Sequence, residues 1–113
     1  MYVQVVDLSV EVERAEGAAA VVRVDGELDK VTAPAFRECL TALSAEGRLD
    51  VVIDASRLTF CDSSGLWVLV AHRRDVGALG GSLRLTGVHG VFRRVLDVTG
   101  LKAAFDSVLP VQL

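Results

Sequence analysis

The sequence predicts an α/β fold in a single domain covering residues 1–113, with a mixed sheet of four to five strands flanked by about three helices. The length of 113 residues is near the commonest size of one domain, and 51% of the residues are apolar. Strand-like and helix-like apolar spacings alternate along the chain, and no linker or internal repeat divides it. Such alternation is typical of a layered fold with right-handed crossovers between parallel strands.

The first part of the chain predicts a hairpin and then a helix. Apolar residues alternate over 3–13 and again over 19–24, and the turn between these strands covers 15–18. Thr32 can cap the helix, and Pro34 is tolerated in its first turn. The helix ends near a glycine, and its apolar stripe comprises Ala35, Phe36, Cys39, Leu40 and Leu43.

The middle of the chain predicts a central strand, a second helix and a further strand. Residues 49–55 read LDVVIDA, a nearly continuous apolar run of the kind that forms a strand covered on both faces. Asp62 and Ser63 supply capping chemistry for a helix that runs to about Val76 and is followed by glycines. Residues 82–86 then predict the next strand.

The end of the chain predicts a third helix and a closing edge strand. Residues 88–98 show helical spacing, and residues 103–109 are expected to form the strand. Little chain follows, so this sheet edge is expected to be bare, and weak homodimerisation is one way to protect it. The apolar positions of the helix are Val91, Phe92, Val95 and Leu96.

Charge and composition exclude several classes of function. A net charge of −3 gives no field that attracts nucleic acid or an anionic membrane surface. The acidic N-terminal segment does not resemble a signal peptide, and the longest apolar run, residues 65–71, is far shorter than the roughly 20 residues that span a bilayer. We therefore expect a cytoplasmic protein that binds no nucleic acid and no membrane.

Cysteines and histidines give no sign of a metal or cofactor. Cys39 and Cys61 form no CxxC pair and are expected to be reduced thiols. Cys61 lies two residues before Ser63, which raises the hypothesis of redox control if its thiol is exposed and acidic. His72 and His89 lack a third ligand at metal spacing, so no metal site and no cofactor are expected.

The segment Asp62-Ser63-Ser64-Gly65 has its own chemistry. At a helix start, free backbone N–H groups and the helix dipole favour an anion, so a phosphate on Ser63 need not disrupt the fold. Asp62 would either orient the Ser63 hydroxyl or cap the helix through the Ser64 or Gly65 N–H, and Gly65 is expected to keep the surface open for a partner. The alternative is that these residues are only a well-capped helix start.

The segment VVIDASRLTFCDSSGLWVLV resembles the bacterial anti-sigma factor antagonist family of STAS domains, in which a buried strand precedes D-S-S-G-L at a helix start. Upstream, VVRVDGELDKVTAPAFRECL resembles the strand, G-E-L-D motif and helix of that family. The resemblance covers nearly the whole chain. It implies that Ser63 is the phosphoacceptor, that Asp62 is the acidic residue before it, and that Asp29 is the G-E-L-D aspartate.

The resemblance also implies a function and its partners. The unphosphorylated form would bind an anti-sigma factor of the histidine-kinase-like ATPase type and release a sigma factor. That partner would phosphorylate Ser63 with ATP, and a phosphoserine phosphatase would reverse the modification. The chain has no GxxxxGK[ST] loop of its own, which fits a kinase supplied by the partner. The expected partner surface comprises Asp29, Asp62, Ser63, Ser64, Gly65 and Trp67.

Trp67 departs from the family pattern, which has a small residue there. Helical spacing turns Trp67, Ala71 and Arg74 toward a flank of the helix. An exposed tryptophan there, beside Ser63, would suit an interface, whereas burial of Trp67 in the core is expected equally. The basic pairs at 73–74 and 93–94 are expected to be solvated helix ends.

Two other functions remain open. In a serine enzyme, Ser63 would be the nucleophile, His72 or His89 the base, and Asp97 or Asp106 its orienting acid. The absence of G-x-S-x-G and the short chain argue against it, so no enzymatic activity is expected. A STAS domain can also serve as a scaffold in a signalling assembly or as the partner of a transport complex, and the sequence does not separate these roles.

Overall fold

The structure is a computed structural model that describes residues 1–101 and Phe105. Within these residues the chain forms a five-stranded sheet and three helices. The strands are β1 (Tyr2–Val5), β2 (Leu8–Arg14), β3 (Ala19–Leu28), β4 (Asp50–Cys61) and β5 (Ser82–Thr86). The helices are α1 (Ala33–Ala45), α2 (Ser63–Ala78) and α3 (Gly90–Thr99). Strands β1, β2 and β3 pair antiparallel, whereas β3, β4 and β5 pair parallel. The predicted mixed α/β fold is confirmed.

The expected first strand over 3–13 is two strands. The chain reverses at Asp7, whose φ of 67° lies in the left-handed region that aspartate tolerates better than most residues. Strand β1 therefore folds back onto β2, with Val5 opposite Leu8. The Asp7 carbonyl accepts a hydrogen bond from the Glu27 N–H at 2.7 Å, which fixes this turn against β3.

The sheet is buried on one face only. Buried residues alternate along every inner strand and align across the register, so that Val22 of β3 lies opposite Ile53 of β4, which lies opposite Leu85 of β5. The two crossovers advance in the same direction across the sheet, and right-handed crossovers therefore place α1 and α2 on the same side.

Because α1 and α2 lie on the same side of the sheet, the prediction that β4 is covered on both faces is wrong. Val52 and Asp54 lie on the open face and are only half-buried, and the Asp54 carboxylate lies 3.9 Å from the Arg23 guanidinium. Strand β4 is nevertheless an inner strand, flanked by β3 and β5.

The helices bury the expected stripes with small differences. In α1 the stripe is confirmed except at Ala35, which is half-buried. In α3, Phe92 and Leu96 are buried and Val91 is exposed. No helix among the described residues is both long enough and apolar enough to cross a membrane. The predicted strand over 103–109 lies outside the described residues except at Phe105, which is helical and buried.

Candidate functional site

The two motifs singled out in the sequence meet at one edge of the sheet. Strands β3 and β4 are parallel neighbours, and their last residues, Leu28 and Cys61, are register partners. The Asp62 N–H donates to the Leu28 carbonyl at 3.1 Å, which ties the two strand ends together. The loop that carries Asp29 therefore lies against the start of α2.

Asp62 caps α2, which is one of the two roles expected for it, the other being to orient the Ser63 hydroxyl. Its Oδ1 accepts hydrogen bonds from the Ser64 N–H at 2.8 Å and the Gly65 N–H at 3.2 Å, and its carbonyl accepts from the Leu66 N–H. Within the described residues, only the Ser63 N–H at this helix start has no partner. Of the several N–H groups expected to favour an anion at this helix start, those of Ser64 and Gly65 are thus already bonded to Asp62.

Gly65 has a packing role instead of leaving the surface open. It is buried, and a Cβ placed on it would lie 2.5 Å from Leu28 Cγ and 2.9 Å from the Leu28 carbonyl oxygen. A glycine is needed here because α2 contacts the end of β3 so closely. The expectation that Gly65 provides an open docking surface is therefore wrong.

Asp29, and not Thr32, organises the start of α1. The Thr32 side chain makes no capping bond to the helix; its hydroxyl donates to the Glu27 carbonyl at 2.8 Å. Asp29 Oδ1 accepts from the N–H groups of Val31 and Thr32 at 2.9 and 3.0 Å. The hydrogen bond from the Thr32 N–H is the main cause of a lowered pKa of the Asp29 carboxyl. Asp29 is half-buried beside α2, and its role toward a partner stays a prediction.

Ser63 and Trp67 share the exposed face of α2. Ser63 is exposed, and its hydroxyl makes no hydrogen bond within the part of the chain that the structure describes. Trp67 lies one helical turn later on the same face and is 55% exposed. Of the two expected positions of its side chain, exposed on a flank or buried in the core, the structure has the exposed one. The Arg74 guanidinium carbon lies 5.5 Å from the centre of the indole ring, so Arg74 is part of this surface and not an isolated helix-end charge.

A groove beside Ser63 was not foreseen in the sequence. It has a volume of about 390 Å³ and lies between the start of α1 and the start of α2. Lys30 and Arg37 were missed because they precede α2 by about thirty residues and do not belong to the G-E-L-D or D-S-S-G-L positions of the two segments. We call this the Trp67 groove, and it is lined by Lys30, Ala33, Pro34, Arg37, Ser64, Trp67 and Val68.

Cys61 does not have the properties of a redox sensor. Its side chain is 1% exposed, and burial, with a smaller contribution from the Asp62 charge, raises the pKa of the thiol to about 12. A reactive cysteine needs access and a stable thiolate. The condition set for redox control at Cys61, an exposed and acidic thiol, is therefore not met in the folded protein.

His72 is not placed to activate Ser63. Nine residues separate them on α2, which amounts to about 14 Å along the axis and places them on opposite sides of the helix. His72 is buried and its Nε2 has no hydrogen-bond partner among the described residues, whereas His89 Nε2 lies 2.9 Å from the Ser56 carbonyl oxygen. Asp97 is exposed on α3, and Asp106 lies outside the described residues. No cluster of three potential metal ligands occurs within residues 1–101 and Phe105.

This topology and the paired motifs define a known class of domain. The STAS domain family model matches residues 9–112, and the chain belongs to this family. Among its curated relatives, the anti-sigma-B factor antagonist of Bacillus subtilis is 35% identical over 100 residues, covering 88% of this chain and 90% of the relative.

Solved structures agree with this assignment. An anti-sigma factor antagonist from Mycobacterium paratuberculosis superposes with a TM-score of 0.77 at 35% identity, covering 87% of this chain and 82% of that one. The antagonist SpoIIAA in its unphosphorylated form gives a TM-score of 0.73 at 24% identity, covering 92% and 99% of the two chains. The latter likeness concerns the fold.

Proposed function

We propose that this protein is a cytoplasmic anti-sigma factor antagonist controlled by phosphorylation of Ser63. Its unphosphorylated form binds an anti-sigma factor of the histidine-kinase-like ATPase type and so releases a sigma factor. The same partner phosphorylates Ser63 with ATP, which ends binding, and a phosphoserine phosphatase restores the active form. The names of two relatives with 35% identity support the role as antagonist.

The observation that carries the proposal is the free hydroxyl of Ser63 at the first position of α2. Asp62 performs the capping, so the helix does not need the Ser63 side chain. An exposed hydroxyl without a structural task can enter a kinase active site without local unfolding. Ser64, the neighbouring serine, is half-buried and lines the Trp67 groove.

The electrostatics of the helix start explain why phosphate would end binding. Phosphorylation adds roughly −1.5 to −2 charges at neutral pH, directly beside the Asp62 carboxylate. The Ser64 and Gly65 amides are occupied, so most of the new charge stays on the surface that a partner must cover. Burying such a charge without compensating cations costs on the order of several kcal/mol, and roughly 1.4 kcal/mol already lowers affinity tenfold.

The test uses the anti-sigma factor encoded in the same genome, with ATP and magnesium. We expect one phosphate on the wild type and on Ser64→Ala, and none on Ser63→Ala. Ser63→Asp should weaken binding of the anti-sigma factor in calorimetry, while Ser63→Ala should bind as the wild type does. Phosphorylation of Ser63→Ala to the wild-type extent would refute the assignment of the phosphosite.

A further inference from the structure

We infer that the Trp67 groove binds an acidic segment of the anti-sigma factor, with an apolar side chain of that segment packed on the Trp67 indole. This inference rests on the proposed function and adds to it the chemistry of the partner surface. It also assigns a binding role to Lys30 and Arg37, which lie in the upstream segment that resembles the family but outside its G-E-L-D motif.

The floor of the groove is apolar and accessible. Trp67 leaves 55% of its surface in solvent, and Ala33, Pro34 and Val68 complete the walls. Tryptophan is enriched among the few interface residues that contribute most of the binding energy, so an exposed tryptophan beside a groove suits a binding surface. An aliphatic side chain entering the groove would remove this apolar surface from water.

The rim of the groove is positive. Lys30 and Arg37 line it, Arg74 lies over the indole, and among the residues that the structure describes no carboxylate contributes to its lining. Within residues 1–101 and Phe105, none of these three cations forms an ion pair, whereas Arg14 and Arg23 do. The whole chain has a net charge of −3, so this patch opposes the overall sign. A local cationic rim around an apolar floor selects an acidic, apolar segment.

The position of the groove couples it to Ser63. Trp67 is one helical turn from Ser63 on the same face, so a segment that packs on the indole lies next to the Ser63 hydroxyl. A phosphate at Ser63 would repel the carboxylates of that segment and attract the cations that otherwise bind them. The groove therefore makes binding of this particular partner sensitive to phosphorylation.

Charge reversal with a matched control tests the inference. The double variant Lys30→Glu/Arg37→Glu removes the positive rim, and Arg93→Glu/Arg94→Glu makes the same change in net charge at two exposed positions of α3. With this protein unphosphorylated at Ser63 and the anti-sigma factor from the same genome as partner, we expect the first variant to bind roughly tenfold or more weakly and the second to bind as the wild type does. Trp67 is the only tryptophan of this chain, so a blue shift that remains after the emission of the anti-sigma factor alone is subtracted reports burial of the indole in the complex.

A second probe separates this inference from the proposed function. The acidic peptide EELLEE should shift the Trp67 emission saturably, and the basic peptide KKLLKK should not. If the anti-sigma factor binds both double variants equally well, or leaves the Trp67 emission unchanged, the groove assignment is wrong while the antagonist role stands. If no anti-sigma factor of the genome binds the wild type, the proposed function is wrong. The anti-sigma factor is then also wrong as the partner of the groove, and the peptides decide only whether the groove binds acidic, apolar segments: a response to the acidic peptide alone supports that chemistry, and equal or absent responses overturn it.

Discussion

Replacing Gly65 by alanine should destabilise the protein, although alanine is the better helix former. The added Cβ would lie 2.5 Å from Leu28 Cγ and 2.9 Å from the Leu28 carbonyl oxygen. Leu28 is 1% exposed and belongs to the core, and the contact with its backbone oxygen is relieved only if the helix or the strand shifts. Overpacking of this kind costs about 2 kcal/mol, and the gain in helix propensity offsets about 1 kcal/mol. We expect Gly65→Ala to lower the free energy of unfolding by about 1 kcal/mol.

Gly77 is the matched control in the same helix. It is exposed, and no atom of the described part of the chain lies within 4 Å of a Cβ placed on it. Gly77→Ala should therefore stabilise the protein by about 1 kcal/mol through helix propensity alone. The two variants should differ by about 2 kcal/mol, or about 8 °C in the midpoint of thermal unfolding for a domain of this size.

Urea unfolding followed by far-ultraviolet circular dichroism measures both variants on the same scale. The slope against urea should stay unchanged, because the surface exposed on unfolding is the same. If Gly65→Ala proves as stable as Gly77→Ala, the close packing of α2 on Leu28 is refuted as the reason for a glycine at position 65.

Three further predictions concern residues around the site. Asp62→Ala should lower the free energy of unfolding by about 1 kcal/mol because the Ser64 and Gly65 amides lose their acceptor, while Asp62→Asn should retain most of the stability that the cap provides. Equal losses of stability for the two variants in urea titrations would contradict the capping role. Burial raises the pKa of Cys61 to about 12, so iodoacetamide at pH 8 should label this thiol only after unfolding. Peptide mapping measures the labelling, and rapid modification of Cys61 in the folded protein would contradict its burial. Burial lowers the pKa of His72, so below the ordinary histidine pKa of about 6.5 the unfolded chain binds a proton that the folded chain resists. The free energy of unfolding should therefore fall from pH 7 to pH 5, and less steeply in His72→Gln; identical slopes would exclude His72 as the cause.

The local chemistry of α2 could be predicted from the sequence because capping and helical spacing act over a few residues. Asp62 caps the helix as its type and position suggest, and Trp67 lies on the flank given by its spacing from Leu66. The hairpin was foreseen less completely. The turn at Asp7 lies between two segments whose residues both favour a strand. It is fixed by the hydrogen bond from the Glu27 N–H to the Asp7 carbonyl, which joins residues far apart in the chain.

Contacts between distant segments decided the rest of the site. The role of Gly65 follows from how closely α2 approaches Leu28, and the inert character of Cys61 follows from its burial in the core at the end of β4. The one-sided burial of β4 depends on both crossovers covering the same face of the sheet, which a strand's own residues do not specify.

The sequence by itself determined the α/β class, the mixed sheet, the family resemblance and Ser63 at the start of a helix, because apolar period and capping chemistry are local properties. Only the tertiary structure brought Lys30 and Arg37 beside Trp67 and left the indole exposed under Arg74. These side chains come from a loop and two helices whose relative positions depend on the packing of the whole core. A surface built from separate segments has no sequence pattern of its own.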